Sequence, residues 1–287
     1  MRLSDFDTSQ QYRATVVSSS RITPVEAAED VRELVLEVDA DEFPAAPGQV
    51  VGVLVPGPHA LGHKQHFRVY TVADLPKRAE NGKPRIDICV KRCHYIDDYS
   101  GESYDGIASN YLCDRAGGDV ITVTGPYGLP FTVPEDRSAN LLMIGMGTGI
   151  APFRAFVRHI YEHVGEWRGK VRLFYGARSG LESLYMNDER DDFANYYDKP
   201  TFQAFKALSP RPHWGVPIAL ETVLMAEKSE MWSLLCDRKT YVYVAGLKEI
   251  AAVLDKTLAS MAGGEEKWVE RKRQMVSEGR WTELLYG

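Results

Sequence analysis

The stretch NLLMIGMGTGIAPFRAF, residues 140–156, decides how the fold is read. Its first part, NLLMIG (140–145), is a continuous apolar run, the pattern of a strand buried on both faces. GMGTGIAP, Gly145 to Pro152, then breaks the run and opens a helix expected over Ala151–His163. Glycines at such a turn let the backbone approach a pyrophosphate closely. The helix start supplies amide donors and the positive end of the helix dipole. Pro152 suits the first helical turn, where its missing N–H costs little. The spacing differs from G-x-G-x-x-G, so the common dehydrogenase fingerprint is not met. A tight strand–helix turn that merely needs free φ is the competing reading.

Downstream, the same period continues. VRLFYGAR (171–178) reads as a second buried strand, followed by a helix-like stretch over Asn187–Tyr196. TFQAFKAL (201–208) and YVYVAG (241–246) read as third and fourth strands, the last leading into a helix from Lys248 to Met261. Strands alternating with helices predict a parallel sheet covered on both faces. Upstream the pattern is different. RATVVSS (13–19), ELVLEV (33–38), QVVGVLV (49–55), FRVYTVA (67–73), RIDICVKR (85–92) and DVITVTG (119–125) are short β runs. Turn signals such as Pro47-Gly48, Pro56-Gly57-Pro58 and Asn81-Gly82 separate them, which predicts an antiparallel barrel or sandwich. One helix interrupts them, Ser109–Arg115, with Ser109 as its N-cap. The chain is therefore read as two domains, a β-barrel over 1–136 and a parallel α/β domain over 137–287, close to the prior for 287 residues.

Composition excludes several classes. Hydrophobic residues make 44% and charged residues 26%, ordinary for a globular protein. No apolar run reaches the ~20 residues needed to span a bilayer. MRLSDFDTSQ has no apolar core of the kind a signal peptide carries, so a cytoplasmic location is expected. A net charge of −6 argues against a nucleic-acid partner. Cys89, Cys93, Cys113 and Cys236 contain no C-x-x-C pair. That spacing suits neither an iron–sulfur cluster nor a zinc site. They are read as reduced thiols, so redox chemistry would need a bound organic cofactor.

Smaller motifs surround these elements. Arg68-Val69-Tyr70-Thr71 closes a β run, and alternation puts Arg68 and Tyr70 on one face with Thr71 opposite. A guanidinium can grip phosphate with two prongs, and a neighbouring ring can cover a flat heterocycle. An exposed arginine beside a core tyrosine is the plainer alternative. Lys91 and Arg92 end RIDICVKR, with Tyr95 just beyond, and Gly106-Ile107-Ala108-Ser109-Asn110 precedes the short helix. Trp281, Glu283 and Tyr286 crowd the last seven residues, so the C-terminus is expected to dock on something apolar.

In order, RVYT, ICVKR, GIASNYLCD, TGPYG, GMGTGIAPFRAF, LFYGAR, LYMNDE, YVYVAGLKEI and the terminal aromatic resemble the plant-type ferredoxin–NADP reductase family, from Gly48 to Tyr286. The resemblance implies an N-terminal antiparallel FAD-binding barrel and a C-terminal nucleotide-binding α/β domain. It implies that Arg68 grips the FAD pyrophosphate, Tyr70 covers one flavin face and Thr71 bonds near the flavin N5. Cys89, Val90 and Lys91 would line the FAD, with Lys91 also reaching the NADP pyrophosphate. Tyr95 would stack on the adenine. Gly106, Ala108 and Ser109 would hold flavin phosphate and ring edges. Gly147, Thr148 and Gly149 would bind the nicotinamide nucleotide, Gly246 and Leu247 would lie near its nicotinamide, and Tyr286 would cover the other flavin face. Tyr286, Thr71 and Tyr70 would thus be the catalytic groups.

The chain departs from the family pattern at several points. Ala108 and Ala245 stand where the family commonly has cysteine. Glu283 lies three residues before Tyr286, against two in the plant enzymes, and Gly287 follows it. The plant S-R-E-Q…K-x-Y signature for the 2′-phosphate is replaced by Ser209-Pro210-Arg211-Pro212-His213 and then Val216-Pro217. Ser209, Arg211 and Arg178 are the remaining ligands for that phosphate, which favours NADPH and leaves NADH possible. The expected activity is an FAD-dependent NADPH oxidoreductase that exchanges single electrons with a ferredoxin or flavodoxin. The alternatives are the reductase component of an oxygenase and a non-catalytic flavoprotein subunit.

Overall fold

The computed structural model describes residues 3–59, 64–97, 99–128, 131–208 and 218–286. The chain divides into two compact units, Met1–Phe131 and Thr132–Gly287. The division is sharp at the backbone. Phe131 N–H donates to Pro47 O (2.7 Å) in the first unit, whereas Thr132 O accepts from Tyr243 Oη (2.7 Å) in the second.

Period-two alternation builds the first unit. In β1 (Gln11–Arg21), Ala14 and Val16 face inward while Arg13 and Thr15 face out. With β2 (Val31–Val38), β3 (Val50–Pro56), β4 (Gln65–Thr71), β5 (Lys77–Arg78), β6 (Pro84–Lys91) and β9 (Val120–Tyr127), it forms a seven-stranded antiparallel sheet in the order β4-β3-β9-β1-β2-β6-β5. A Val72–Ile88 bridge and the bond from Ala73 N–H to Asp87 O (2.8 Å) join the chain leaving β4 to β6. Closure of this kind removes the free edge. Leu34, Leu36, Val53, Ile86, Ile88 and Val123 fill the interior. A small hairpin, β7 (His94–Ile96) and β8 (Ser103–Asp105), leads into α1 (Ile107–Cys113), whose Ala108, Leu112 and Cys113 join the same core.

The helix begins two residues earlier than the sequence suggests. Gly106, not Ser109, is its N-cap. The Ser109 hydroxyl instead accepts from Cys93 N–H (3.1 Å) and donates to Gly106 O (3.2 Å), so it ties the helix to the residue just before β7.

In the second unit, β10 (Asn140–Met146), β11 (Val171–Gly176), β12 (Phe202–Ala207), β13 (Thr240–Leu247) and β14 (Trp281–Tyr286) form a parallel sheet in the order β12-β11-β10-β13-β14. The sequence reading found four of these strands. The fifth is the terminal aromatic segment itself, held by Val242–Trp281 through Leu247–Tyr286 pairing. α2 (Ala151–Arg158) widens into a π turn over His159–Val164 that ends at Gly165, so the expected helix is not α-helical throughout. The stretch read as a helix over Asn187–Tyr196 is a turn and a short 3-10 segment. Asn187 Oδ1 accepts from Glu189 N–H and Arg190 N–H, and Asp191 caps Asp192–Tyr196. Such side-chain bonds to the local backbone compete with an α-helix. Three helices were not anticipated, α3 (Leu220–Ala226), α4 (Lys228–Cys236) and α6 (Glu265–Ser277), while α5 (Glu249–Ala262) was. α6 buries few side chains, notably Trp268 and Met275, so its apolar stripe is thin.

One defect in the barrel gives a stability test. Thr124 is fully buried, and its hydroxyl has no hydrogen-bond partner among the described residues. It faces Gly52, where an added Cβ would come within 2.2 Å of Thr124 Oγ1 and 2.4 Å of the Phe67 ring. Thr124→Val removes the unpaired hydroxyl at nearly constant shape and is expected to stabilise the fold by about 1 kcal/mol. Denaturant unfolding checks this; a lower midpoint would mean that the hydroxyl is bonded after all.

Candidate active site

The order of the parallel sheet locates a crevice before any ligand is considered. From β10 the chain steps to β11 and β12 on one side, then crosses to β13 on the other. The switch point therefore lies between the carboxyl ends of β10 and β13, where open α/β sheets bind their ligands. Gly147-Thr148-Gly149 forms a 3-10 turn at the end of β10 that runs directly into α2. Gly246 and Leu247 end β13, and Tyr286 ends β14 beside them. Gly147, Thr148, Gly149, Gly246, Leu247 and Tyr286 thus meet at the carboxyl ends of the strands.

Each glycine has its own reason. Gly147 adopts φ +54°, and a side chain there would meet nothing within 4 Å. Gly149 is fixed by packing instead. A Cβ on it would lie 2.2 Å from Ala245 O and 2.8 Å from Gly246 Cα. The turn is braced from below by the buried Tyr175, whose hydroxyl donates to Gly147 O (3.0 Å) and accepts from Leu184 N–H (3.4 Å). Within LYMNDE, the Tyr185 ring lies under the Arg154 guanidinium (4.7 Å), and Arg154 also bonds Asp192. That motif holds α2 in place from the side.

Thr148 Oγ1 and Tyr286 Oη are hydrogen-bonded at 2.7 Å. The backbone beneath the tyrosine is held too, since Lys248 N–H donates to Tyr286 O (3.0 Å). Glu283 takes no part here. Alternation along β14 turns it to the opposite face. There it pairs with Lys272 (3.1 Å) and accepts from Trp281 Nε1 (2.5 Å). Arg178 is exposed just past β11. Ser209 and Arg211 lie outside the described residues.

The first unit gathers the other candidates around the ends of β4 and β6. Arg68 bonds only the carbonyl of Phe67 (2.9 Å) and has no acidic partner among the described residues. Tyr70 packs against the barrel core, and burial raises its phenol well above the usual range, so it stays neutral. Thr71 ends β4. Cys89 and Val90 are buried. Burial likewise pushes the Cys113 thiol up to about 12, which makes it unreactive. Arg92 is spent on structure: it bonds Asp30 (3.0 Å), Asn110 (2.8 Å) and Asp114 (2.9 Å), fastening α1 to β6. Gly106 N–H donates to Cys93 O, so Gly106, Ala108 and Ser109 are held beside that strand end. Tyr95 is 57% exposed and stacks on Tyr104 across the hairpin, with centroids 5.6 Å apart. Lys91 forms an ion pair with Glu29 at 2.7 Å, which sequence reasoning missed.

Comparison with known proteins fits this geometry. Residues 143–256 match the oxidoreductase NAD-binding domain model. Ferredoxin–NADP reductase leaf isozyme 2 of Oryza sativa subsp. indica is 30% identical over 285 residues, covering 96% of this chain and 76% of that one. The chloroplastic ferredoxin–NADP reductase of Spinacia oleracea is 30% identical over 283 residues, covering 96% and 75%. The chain belongs to the plant-type ferredoxin–NADP reductase family. It is accordingly an electron-transferring NAD(P)H oxidoreductase. The fold agrees, since a Plasmodium falciparum ferredoxin–NADP+ reductase structure superposes with a TM-score of 0.73 at 19% identity, covering 98% of both chains. No helix among the described residues is long and apolar enough to cross a membrane.

The two glycines of the turn differ in a measurable way. Gly147→Ala meets only the strain of a left-handed φ, about 1 kcal/mol. Gly149→Ala drives a Cβ into backbone and should cost roughly 1–3 kcal/mol. Thermal unfolding of the two variants is expected to rank Gly149→Ala as the less stable. The reverse order would mean that the turn can retreat from β13.

Proposed function

We propose that the chain is an FAD-dependent NADPH oxidoreductase that exchanges a hydride with NADP(H) and single electrons with a ferredoxin- or flavodoxin-type carrier. The observation that carries this reading is the meeting of Thr148, Gly246, Leu247 and Tyr286 at the switch point of the parallel sheet. The relatives are ferredoxin–NADP reductases, which supports the same choice of partner and nucleotide.

FAD is assigned to the barrel unit. The fit rests on chemistry present there: at Arg68 an arginine without an acidic partner among the described residues, an exposed ring at Tyr95, and a neutral, partly buried phenol at Tyr70. Arg68 would hold the pyrophosphate with its fork of donors. Tyr95 would stack on the adenine, and Tyr70 and Thr71 would hold the flavin ring. Cys89, Val90, Gly106, Ala108 and Ser109 would line the same cofactor, with Lys91 taking nucleotide phosphate. When bound, the flavin supplies the step between two-electron and one-electron chemistry.

NADP(H) is assigned to the second unit. The open space at Gly147 lets phosphate reach the turn, and Thr148 offers a hydroxyl once Tyr286 yields it. Tyr286 is the aromatic group that gives way as the nicotinamide enters beside Gly246 and Leu247. Arg178, with Ser209 and Arg211, would meet the 2′-phosphate and favour NADPH over NADH.

The purified protein is expected to release FAD, not FMN, on denaturation. Anaerobic titration should reduce it with NADPH at lower concentration than with NADH. Arg68→Ala should lose flavin occupancy, since a charge-assisted bond is worth about 1.5–3 kcal/mol. Bound FMN, a preference for NADH, or full FAD retention in Arg68→Ala would each refute the matching assignment.

A further inference from the structure

All six strand residues of the β7–β8 hairpin are exposed, so it has no core of its own. A two-stranded hairpin is marginal in water unless something is added to its backbone pairing. Here each face carries one cross-strand pair. The register sets His94 opposite Asp105 and Tyr95 opposite Tyr104. Alternation turns these two pairs to opposite faces. On one face His94 Nδ1 lies 2.7 Å from Asp105 Oδ1. On the other the two tyrosine rings stack, with centroids 5.6 Å apart and planes 23° from parallel. The ends are tied as well. Gly106 N–H donates to Cys93 O (2.8 Å) at the base, and Asp97 Oδ1 accepts from Tyr99 N–H (3.0 Å) and Ser100 N–H (2.8 Å) at the turn.

The two rings are held differently. Tyr104 Oη donates to Glu102 Oε2 at 2.6 Å, which fixes that ring from its far end. Tyr95 is the more open of the two, and its contact across the hairpin is the face of Tyr104. A third ring between them would need two contacts of about 3.5 Å each, more than the 5.6 Å available. An incoming flat heterocycle therefore meets the outer face of Tyr95, not the gap. A tyrosine on an open strand otherwise exchanges among its staggered rotamers. Each side chain that a ligand has to immobilise weakens binding. The chain Glu102–Tyr104–Tyr95 settles that rotamer in advance.

We propose that Tyr104 is a positioning residue for the adenine of FAD: it stacks behind Tyr95 and presents the outer face of that ring to the base. This rests on the reading above that Tyr95 stacks on the adenine. Tyr104 acts through Tyr95, not on the cofactor itself. Two tyrosines and a purine in a row keep an offset-stacked contact on each side of Tyr95. The consequence is selectivity. FMN ends at its phosphate and has no adenine, so only FAD draws on the stack. Tyr104 thus contributes to the choice of FAD over FMN and leaves the contacts to the flavin ring alone.

The test is flavin rebinding to the full chain after its flavin has been removed. Kd values for FAD and for FMN are read from flavin fluorescence in the parent, Tyr104→Ser, Tyr104→Phe, Tyr95→Ser and the Tyr95→Ser/Tyr104→Ser double variant. Tyr104→Ser is expected to raise the Kd for FAD by about three- to tenfold, the scale of one aromatic pair or one side chain fixed beforehand. The Kd for FMN should stay unchanged. Tyr104→Phe keeps the stack and should bind FAD as the parent does. In the Tyr95→Ser background the loss from Tyr104→Ser should vanish. An unchanged Kd for FAD in Tyr104→Ser overturns the inference, as does a loss that Tyr104→Phe shares or that survives Tyr95→Ser. An equal loss for FMN means that Tyr104 only holds the hairpin together, which also overturns it. If Tyr95→Ser itself leaves the Kd for FAD unchanged, the adenine assignment fails and the inference fails with it. If Tyr95→Ser weakens FAD and Tyr104→Ser does not, only the positioning role fails.

Discussion

No side chain fits between residue 149 and the end of β13, and the second unit is arranged around that contact. A Cβ at Gly149 would overlap Ala245 O, so the turn lies directly against the strand across the switch point. The consequence reaches in both directions. α2 can start only where the turn ends, and its burial among Phe153, Phe156 and Val157 then fixes the helix against the sheet. Tyr175 and Tyr185 are the supports beneath, one holding Gly147 O and the other carrying Arg154. Large buried aromatics serve here as rigid struts for a turn with no side-chain bulk of its own.

The barrel unit solves a different problem, the placement of positive charge. Arg92 is fully committed, because α1 depends on its bonds to Asn110 and Asp114. Arg68 is left without an acid among the described residues, and Lys91 has an acid on a separately anchored loop. Three cations of this unit thus stand at three levels of commitment: Arg68 to no acid among the described residues, Lys91 to one, and Arg92 to a network that includes a helix. Stability and binding are divided among residues that composition alone would treat as equivalent.

The parts of this arrangement legible in sequence were those with a local signature. Gly147-Thr148-Gly149 announces itself because glycine and the apolar run before it are adjacent. The alternating runs of the barrel are equally local. Ser109 misled because a serine before an apolar stretch reads as a cap, while its real partners, Cys93 and Gly106, depend on the hairpin closing. α6 escaped because few of its side chains are buried, and its polar sequence carries little periodic signal. Glu29 was invisible for a stronger reason. It meets a residue sixty-two positions away through the β2–β6 register, and register is a property of the folded sheet.

The terminal tyrosine combines both kinds of information. Its aromatic character stood out in sequence, but its restraint did not. β14 is paired to β13 up to Leu247–Tyr286, and Lys248 N–H holds the Tyr286 carbonyl. Fraying of the chain end would break this ladder, whereas rotation of the ring gives up the bond to Thr148 and leaves the ladder in place. The second path is the cheaper, since it spares the backbone bonds of β14, each worth about 1 kcal/mol net. Any motion of Tyr286 that admits a ligand to Thr148 is therefore a side-chain rotation on a fixed strand. The same strand keeps Glu283 on the far face with Lys272 and Trp281, so rotating the tyrosine does not disturb the carboxylate. Ring and acid, close in sequence, are made mechanically independent by the period of two.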